Sequence, residues 1–315
     1  MPEPRIAVVG ATGVVGTVLL GLLAERGYRD VRALASSRSA GSQVPFGDRV
    51  LTVEEATPEL LSAGEFDACF FSVGTSTSRE LVPHAVAAGA LCVDKSDAFR
   101  LTDGIPLVVP EVNGARAAEH DGIVANPNCC AIPLTCVLKP LHDEAGLVRV
   151  RVSTYQAVSG KGAQAVERLR GETPDEHALR MDWSFDGFEY DEESKLREES
   201  RKILELPELP LSASCVRVPV IVGHAEAVWI ETKEPLSPER ATELLEAAPS
   251  IRVSDVPTPG EAAGADEVFV SRIRRDAASP NGLALFLVCD NLRKGAALNG
   301  LQIAELLLQR DAVPA

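Results

Sequence analysis

Arg5–Gly27, "RIAVVGATGVVGTVLLGLLAERG", is the stretch on which the fold turns. Its first residues form an uninterrupted apolar run, as expected of a strand buried on both faces. Glycines follow at Gly10, Gly13 and Gly16, and the chain then takes on a helical pattern that ends near Gly27. A glycine at the first position permits the tight turn. At the second it lets backbone N–H groups approach a pyrophosphate, and at the third it allows close helix packing. The start of the helix adds a dipole favourable to phosphate. Strand before and helix after make this a dinucleotide-binding loop.

Working outward, "VRALAS", "ACFFSVG", "ALCVDKS" and "PLVVPEVN" read as further short strands, with helical stretches such as "TSRELVPHAVAAG" between some of them. That β-α-β rhythm predicts a doubly wound parallel sheet of Rossmann type over residues 1–128. After the second strand, where an acidic residue would accept from a ribose 2′-hydroxyl, the chain has "ASSRSAG". Ser36, Ser37 and Arg38 suit a 2′-phosphate, so the expected cofactor is NADP(H). The competing reading of these three residues is a solvated turn.

The second half has a different texture. "LVRVRVSTYQAVSG" and "SCVRVPVIVGHAEAVWIETKE" are long, β-branched and partly alternating, which predicts a mixed sheet with one covered face. Residues 163–206 between them are polar and helix-prone, "LALFLVCDNL" reads as a strand, and "KGAALNGLQIAELLLQR" as an amphipathic helix. The fold class is therefore α/β: a nucleotide domain, a second α+β domain over residues 129–292, and a last helix (293–315) packing back on the first domain.

A formal net charge of −15 argues against a nucleic-acid binder, which needs a basic face. No apolar run approaches a membrane span and the first residues do not resemble a secretory signal, so a cytoplasmic protein is expected. Seven cysteines form no framework spacing, and free thiols are the expectation. They form no CxxC pair, and the five histidines do not cluster near them along the chain, so no metal is expected.

Two of the cysteines adjoin in "ANPNCCAIPL", Ala125–Leu134. Cys129 falls at a loop-to-helix junction, where a thiolate is favoured. Cys130, one residue on, points about 100° away. From the residues alone, Cys129 is either a nucleophile or a core thiol.

Taken together, "GATGVVG", "NPNC", "RVPVIVGH" and "DNLRKGAALNGLQIAE", in that order, resemble the aspartate-β-semialdehyde dehydrogenase family from Arg5 to Glu305. The resemblance implies a second domain like the C-terminal domain of glyceraldehyde-3-phosphate dehydrogenase, and a homodimer. The implied activity is the reversible NADPH-dependent reduction of 4-phospho-L-aspartate to L-aspartate 4-semialdehyde, on the route to lysine, threonine and methionine. It also implies that Cys129 is the acylated nucleophile, Gln156 orients the thioester and His224 is general acid/base. Arg217 would clamp the α-carboxylate, Glu192 would face the amino group, Arg100 and Lys195 would hold phosphate, and Asn128 would line the substrate. Cofactor contacts are expected from Gly10, Thr12, Gly13, Val14, Gly16, Ser36, Ser37, Arg38, Ser72 and Thr75. Ser159, Gly160, Asn291 and Gln302 complete that set.

The chemistry of these residue types agrees with such roles. An imidazole moves protons near neutral pH, and a guanidinium fits a carboxylate or phosphate bidentately. Glu192 and Lys195, at i and i+3, share a helical face. Three departures from the family pattern stand out: Cys130 follows the nucleophile where a serine or similar small residue is usual, "VDKSDAFR" carries the charges of Lys95 and Asp97, and Gly300 replaces alanine. An acyl-phosphate reductase acting on N-acetylglutamyl phosphate is the nearest alternative, although its motif carries glycine before the cysteine. A non-catalytic NADP-binding paralogue is the other.

Overall fold

The computed structural model describes residues 3–171, 179–181, 183–255 and 257–308. The chain divides into two compact units, one holding residues up to Pro127 and from Ala296 on, the other Asn128–Gly295.

In the first unit β1 (Ile6–Val9) leads into α1 (Val14–Glu25) and β2 (Val31–Ala35). Next come β3 (Gln43–Phe46), β4 (Arg49–Thr52), β5 (Glu54–Glu55), α2 (Pro58–Ser62) and β6 (Ala68–Phe71). Then follow α3 (Thr75–Ala87), β7 (Leu91–Asp94), α4 (Pro110–Asn113) and β8 (Ile123–Ala125). The sheet order β5-β2-β1-β6-β7-β8 is parallel throughout, with the crossover at β1 that creates a crevice at the strand ends. β1 shows why its sequence is apolar at every position. Ile6 and Val8 enter one core cluster with Leu19 and Leu23 of α1, while Ala7 and Val9 enter another with Phe71, Leu81 and Val82. Each fully buried leucine or phenylalanine contributes about 1.5–3 kcal/mol.

One segment departs from its sequence reading. In "PLVVPEVN" only Leu107 makes a bridge, to Ala125, and Pro110–Asn113 turn into a helix. Proline cannot donate to a sheet ladder but suits the first turn of a helix, where its missing N–H costs nothing. The antiparallel β3–β4 pair, which the reading did not anticipate, stands apart from the parallel sheet.

The second unit opens with α5 (Ala131–Ala145), β9 (Leu147–Gln156), α6 (Ala163–Arg170) and α7 (Asp191–Leu204). It continues through β10 (Leu211–Arg217), β11 (His224–Thr232), α8 (Pro238–Ala247) and β12 (Ile251–Val253). It ends with α9 (Pro259–Ala262), β13 (Val268–Arg275) and β14 (Gly282–Cys289). These strands form a mixed sheet, β10-β9-β11-β14-β13-β12. The long run "SCVRVPVIVGHAEAVWIETKE" breaks at residues 218–223 into β10 and β11, which flank β9 on opposite edges. β10 runs parallel to β9, with Arg217 opposite Gln156. β11 runs antiparallel to it, with Ala225 opposite Tyr155. The C-terminal ends of β9 and β10 and the first residue of β11 therefore meet, which brings Gln156, Arg217 and His224 together at one end of the sheet.

The last described helix, α10 (Leu298–Leu307), belongs to the first unit, and its Leu298 and Leu301 share the core cluster of α1. Arg293–Gly295 stay with the second unit, so the chain crosses over slightly later than residue 293. The Asp290 carboxylate accepts from Leu292 N and Arg293 N, and Arg293 pairs with Asp266 at 2.7 Å. Among the described residues, no helix is long and apolar enough to cross a membrane.

Candidate active site

The nucleotide loop of the first unit is built without side chains. Gly10 has φ +89°, and a Cβ there would lie 2.3 Å from the Ser72 carbonyl oxygen. Its own carbonyl leaves no space at Gly16, where a Cβ would come within 2.1 Å of it. The first turn of α1, with Gly13 as N-cap and Val14 its first residue, has no side-chain cap, so its N–H groups are open to an anion. A cleft of about 620 Å³ lies in front of it, lined by Gly10, Thr12, Gly13, Ser36, Ser37 and Ser72 among others. This cradle fits the phosphates of a dinucleotide. Arg38, next to Ser37, is exposed. Glu55, Glu59 and Glu80 also border the cleft. The Thr75 hydroxyl donates to Asp97. Arg100 is buried in this unit, donating from Nε to the Asn126 carbonyl at 3.1 Å and from Nη2 to the Lys95 carbonyl at 2.5 Å. Gln302 of α10 donates to Glu111 at 3.2 Å.

In the second unit, the turn before α5 is fixed by its own asparagine. Asn128 Oδ1 accepts from Cys130 N at 2.8 Å, Asn128 N donates to Glu199 at 2.6 Å, and Asn128 Nδ2 donates to Glu192 at 3.0 Å. This places the sulfur of Cys129 3.2 Å from His224 Nε2. Cys129 is the one cysteine of the seven that is not buried. Cys130 is fully buried, and its contact with the Cys129 sulfur, together with burial, pushes its thiol well above the usual range.

Glu192 ties the cysteine turn to the sheet, because Gln156 Nε2 also donates to it, at 3.2 Å. Arg217 Nη1 donates to Gln156 Oε1 at 3.4 Å and to the Ala157 carbonyl at 3.0 Å, with its guanidinium 5.3 Å from the centre of the Trp183 ring. The Ala157 amide donates to His224 Nδ1 at 2.9 Å. Gly160 packs against both groups: a Cβ there would come within 3.1 Å of Arg217 Nη1 and 3.4 Å of the His224 ring. Asn291 binds Ser159 Oγ through Nδ2 at 2.9 Å and accepts from Gly223 N at 2.9 Å, which locks the loop after β9 to the residue before His224. Lys195 pairs with Asp191 one turn back, at 3.2 Å. The structure thus assembles Asn128, Cys129, Gln156, Glu192, Arg217 and His224. Lys195 lies on the same helix as Glu192.

Three participants escaped the sequence reading. Glu199 is 1% exposed and anchors the Asn128 amide, two helical turns after Glu192 on α7; that i, i+7 spacing was the available signal. Glu226, on the strand face of His224, is completely buried, with the Cys130 side chain against its carboxyl. The third is the Ala157 amide, a backbone group that no residue identity announces. The histidines do not cluster with cysteines along the sequence, but the fold brings the donor atoms of Cys129, Cys130 and His224 within 4.8 Å of one another.

A thiol beside an imidazole, with a carboxylate, an amide and a guanidinium around it, is an arrangement that can carry out acyl transfer. Residues 5–120 match the semialdehyde dehydrogenase NAD binding domain, and residues 138–184 and 184–294 match the semialdehyde dehydrogenase dimerisation domain. An aspartate-semialdehyde dehydrogenase of Streptomyces akiyoshiensis is 44% identical, over 96% of this chain and 98% of its own. The crystal structure of aspartate semialdehyde dehydrogenase II complexed with ASA, from Vibrio cholerae, superposes with a TM-score of 0.92 at 36% identity, covering 98% of this chain and 99% of its own. The Candida albicans aspartate semialdehyde dehydrogenase with NADP gives a TM-score of 0.77 at 27% identity, covering 98% and 99%. The chain belongs to the aspartate-semialdehyde dehydrogenase family.

Proposed function

We propose that this protein interconverts 4-phospho-L-aspartate and L-aspartate 4-semialdehyde through a thioester on Cys129, with NADP(H) as redox partner, as a cytoplasmic homodimer. The observation that carries the reading is the Cys129 Sγ–His224 Nε2 pair at 3.2 Å, set among Glu192, Gln156 and Arg217 in a chain of this family.

In the reductive direction the Cys129 thiolate attacks the acyl carbon of the acyl phosphate, forming a C–S bond as phosphate leaves. The bound nicotinamide cofactor supplies the hydride that reduces the acyl carbon. Arg217 receives the α-carboxylate, for which a guanidinium is the fitting partner. Glu192 faces the amino group, and its hydrogen bonds to Asn128 and Gln156 hold it in place. Arg100 and Lys195 carry the phosphate. The Lys195–Asp191 pair is partly exposed and adjacent on the helix, so an arriving phosphate dianion exchanges for it at little cost. His224 attends the sulfur and the reacting oxygen.

Gly10, Gly13 and Gly16 hold the pyrophosphate. The choice of NADP rests on Ser36 and Ser37 in the cleft, on Arg38 exposed beside them, and on the NADP carried by the Candida albicans relative. Homodimerisation is supported by the matched dimerisation domain and by Tyr155 and Val216, large apolar residues exposed on neighbouring strands of the second unit.

Purified protein mixed with NADP⁺, phosphate and L-aspartate 4-semialdehyde is expected to form NADPH, and to stop when phosphate is withheld. NAD⁺ is expected to be poorer by about tenfold or more, and Arg38→Ala to narrow that gap. Turnover of N-acetylglutamate semialdehyde in place of the aspartate compound would overturn the substrate assignment.

A further inference from the structure

We propose that Trp183 is a positioning and specificity residue of the substrate site. Its ring covers one face of the Arg217 guanidinium and so confines that side chain to in-plane recognition of a carboxylate. The inference deepens the assignment of Arg217 to the substrate α-carboxylate and rests on it.

The guanidinium carbon of Arg217 lies 5.3 Å from the centre of the Trp183 ring, within the range of a cation–π contact. A guanidinium donates only in its plane, so an aromatic ring over its face costs it no hydrogen bond. The bonds that Arg217 makes among the described residues leave from Nη1, to the Ala157 carbonyl and to Gln156. Its Nε is buried with no hydrogen-bond partner among the described residues. The indole removes water from one more side of this partly buried cation. In that drier setting the remaining donors hold an anion more strongly, and a guanidinium fixed in one plane meets a carboxylate edge-on.

The ring is held in place from both directions along the chain. Upstream, the Arg180 carbonyl accepts from Lys161 Nζ at 2.8 Å, which ties the segment to the loop after β9. Downstream, Ser184 N donates to Asp191 Oδ1 at 3.1 Å, and Asp191 N returns a bond to the Ser184 carbonyl at 2.9 Å. The residues between them close a short loop. There Asp186 accepts from Phe188 N and Glu189 N at 2.8 and 2.9 Å, and the Phe185 and Tyr190 rings lie 5.1 Å apart. Glu189 pairs with Arg197 of α7.

Asp191 opens α7, Glu192 follows it, and Lys195 is its ion-pair partner. One tethered segment thus sets Trp183 against the carboxylate clamp and leads directly into Glu192, which is assigned to the amino group. The two charged groups of an α-amino acid are received at places that the Ser184–Asp191 pair links. The α-carboxylate takes no part in bond making at the far carbon, so loss of Trp183 weakens ground state and transition state alike. KM then rises while kcat stays.

Trp183→Ala is expected to raise KM for L-aspartate 4-semialdehyde about five- to thirtyfold, as loss of a partly desolvated cation–π contact should, with kcat within about threefold. Trp183→Phe keeps a π face and should recover most of the loss. Binding is also readable without turnover, because the chain has two tryptophans and the other, Trp229, stands opposite Arg151 in the sheet register, away from Arg217. In protein carrying Cys129→Ala and Trp229→Phe, L-aspartate 4-semialdehyde should change the Trp183 emission saturably. The compound 3-aminopropanal, which lacks the carboxylate, should not. An unchanged KM in Trp183→Ala, a phenylalanine variant no better than alanine, or emission indifferent to the carboxylate would each overturn the proposal. Arg217→Gln separates this failure from failure of the reading beneath it. If Arg217→Gln raises KM and Trp183→Ala does not, the indole is a bystander and Arg217 keeps its role. If Arg217→Gln leaves KM unchanged, both assignments fall.

Discussion

Cys129→Ala is expected to lower turnover by at least about 10⁴-fold, while Cys130→Ala keeps it to within a few-fold. Removing a nucleophile costs that much because every later step depends on the covalent intermediate. The structure separates the adjacent thiols on three counts. Cys129 is the accessible one and lies 3.2 Å from His224. Cys130 has no exposure, and its thiol stays protonated. Its amide, not its sulfur, does the work of the turn, donating to Asn128 at 2.8 Å. Loss of a buried sulfur should cost Cys130→Ala about 1 kcal/mol of stability, visible in melting but not in rate. Steady-state rates, together with mass spectrometry after limited iodoacetamide treatment, check both halves. Alkylation confined to Cys130, or an active Cys129→Ala enzyme, would move the nucleophile by one residue.

The same turn shows how far sequence carried. The strand–glycine–helix reading of Arg5–Gly27 was legible because its apolar periodicity and its glycines are each forced by the backbone geometry. The meeting of Gln156, Arg217 and His224 was not legible from spacing, since it depends on β10 and β11 pairing with β9 in opposite directions. Family resemblance supplied the residue names without the geometry that joins them. Burial patterns along β11 identify an inward face, yet they do not say that the Glu226 carboxyl lies on it beside the Cys130 side chain. An amide such as that of Ala157 is the same in any sequence, so its bond to His224 is visible only in three dimensions. "PLVVPEVN" misleads for the opposite reason: its valines favour a strand, but its two prolines remove the donors that a strand needs.

Glu226→Gln is expected to stabilise the protein increasingly as pH rises. Both carboxyl oxygens of Glu226 are completely buried, beside the Cys130 side chain. Loss of hydration, reinforced by Cys129 and opposed by the Cys130 side chain, holds this carboxyl well above the usual 4.5, so the folded protein keeps it protonated. An unfolded chain ionises the same group from about pH 4.5 upward. Across that window the folded state binds more protons, so stability falls with rising pH, by up to about 1.4 kcal/mol per pH unit until the folded-state value is passed. Below pH 4.5 neither state is charged and the penalty disappears. Glutamine has nearly the same shape and does not titrate, so its cost is constant. Between pH 5 and pH 8 the advantage of the variant should therefore grow. Melting temperatures of both proteins at the two pH values give the sign directly, and no two-state assumption is needed for a chain of two units. A gap that stays constant, or that widens towards acid, would mean that the Glu226 carboxyl is ionised in the fold and paired with a charge beneath the reactive thiol.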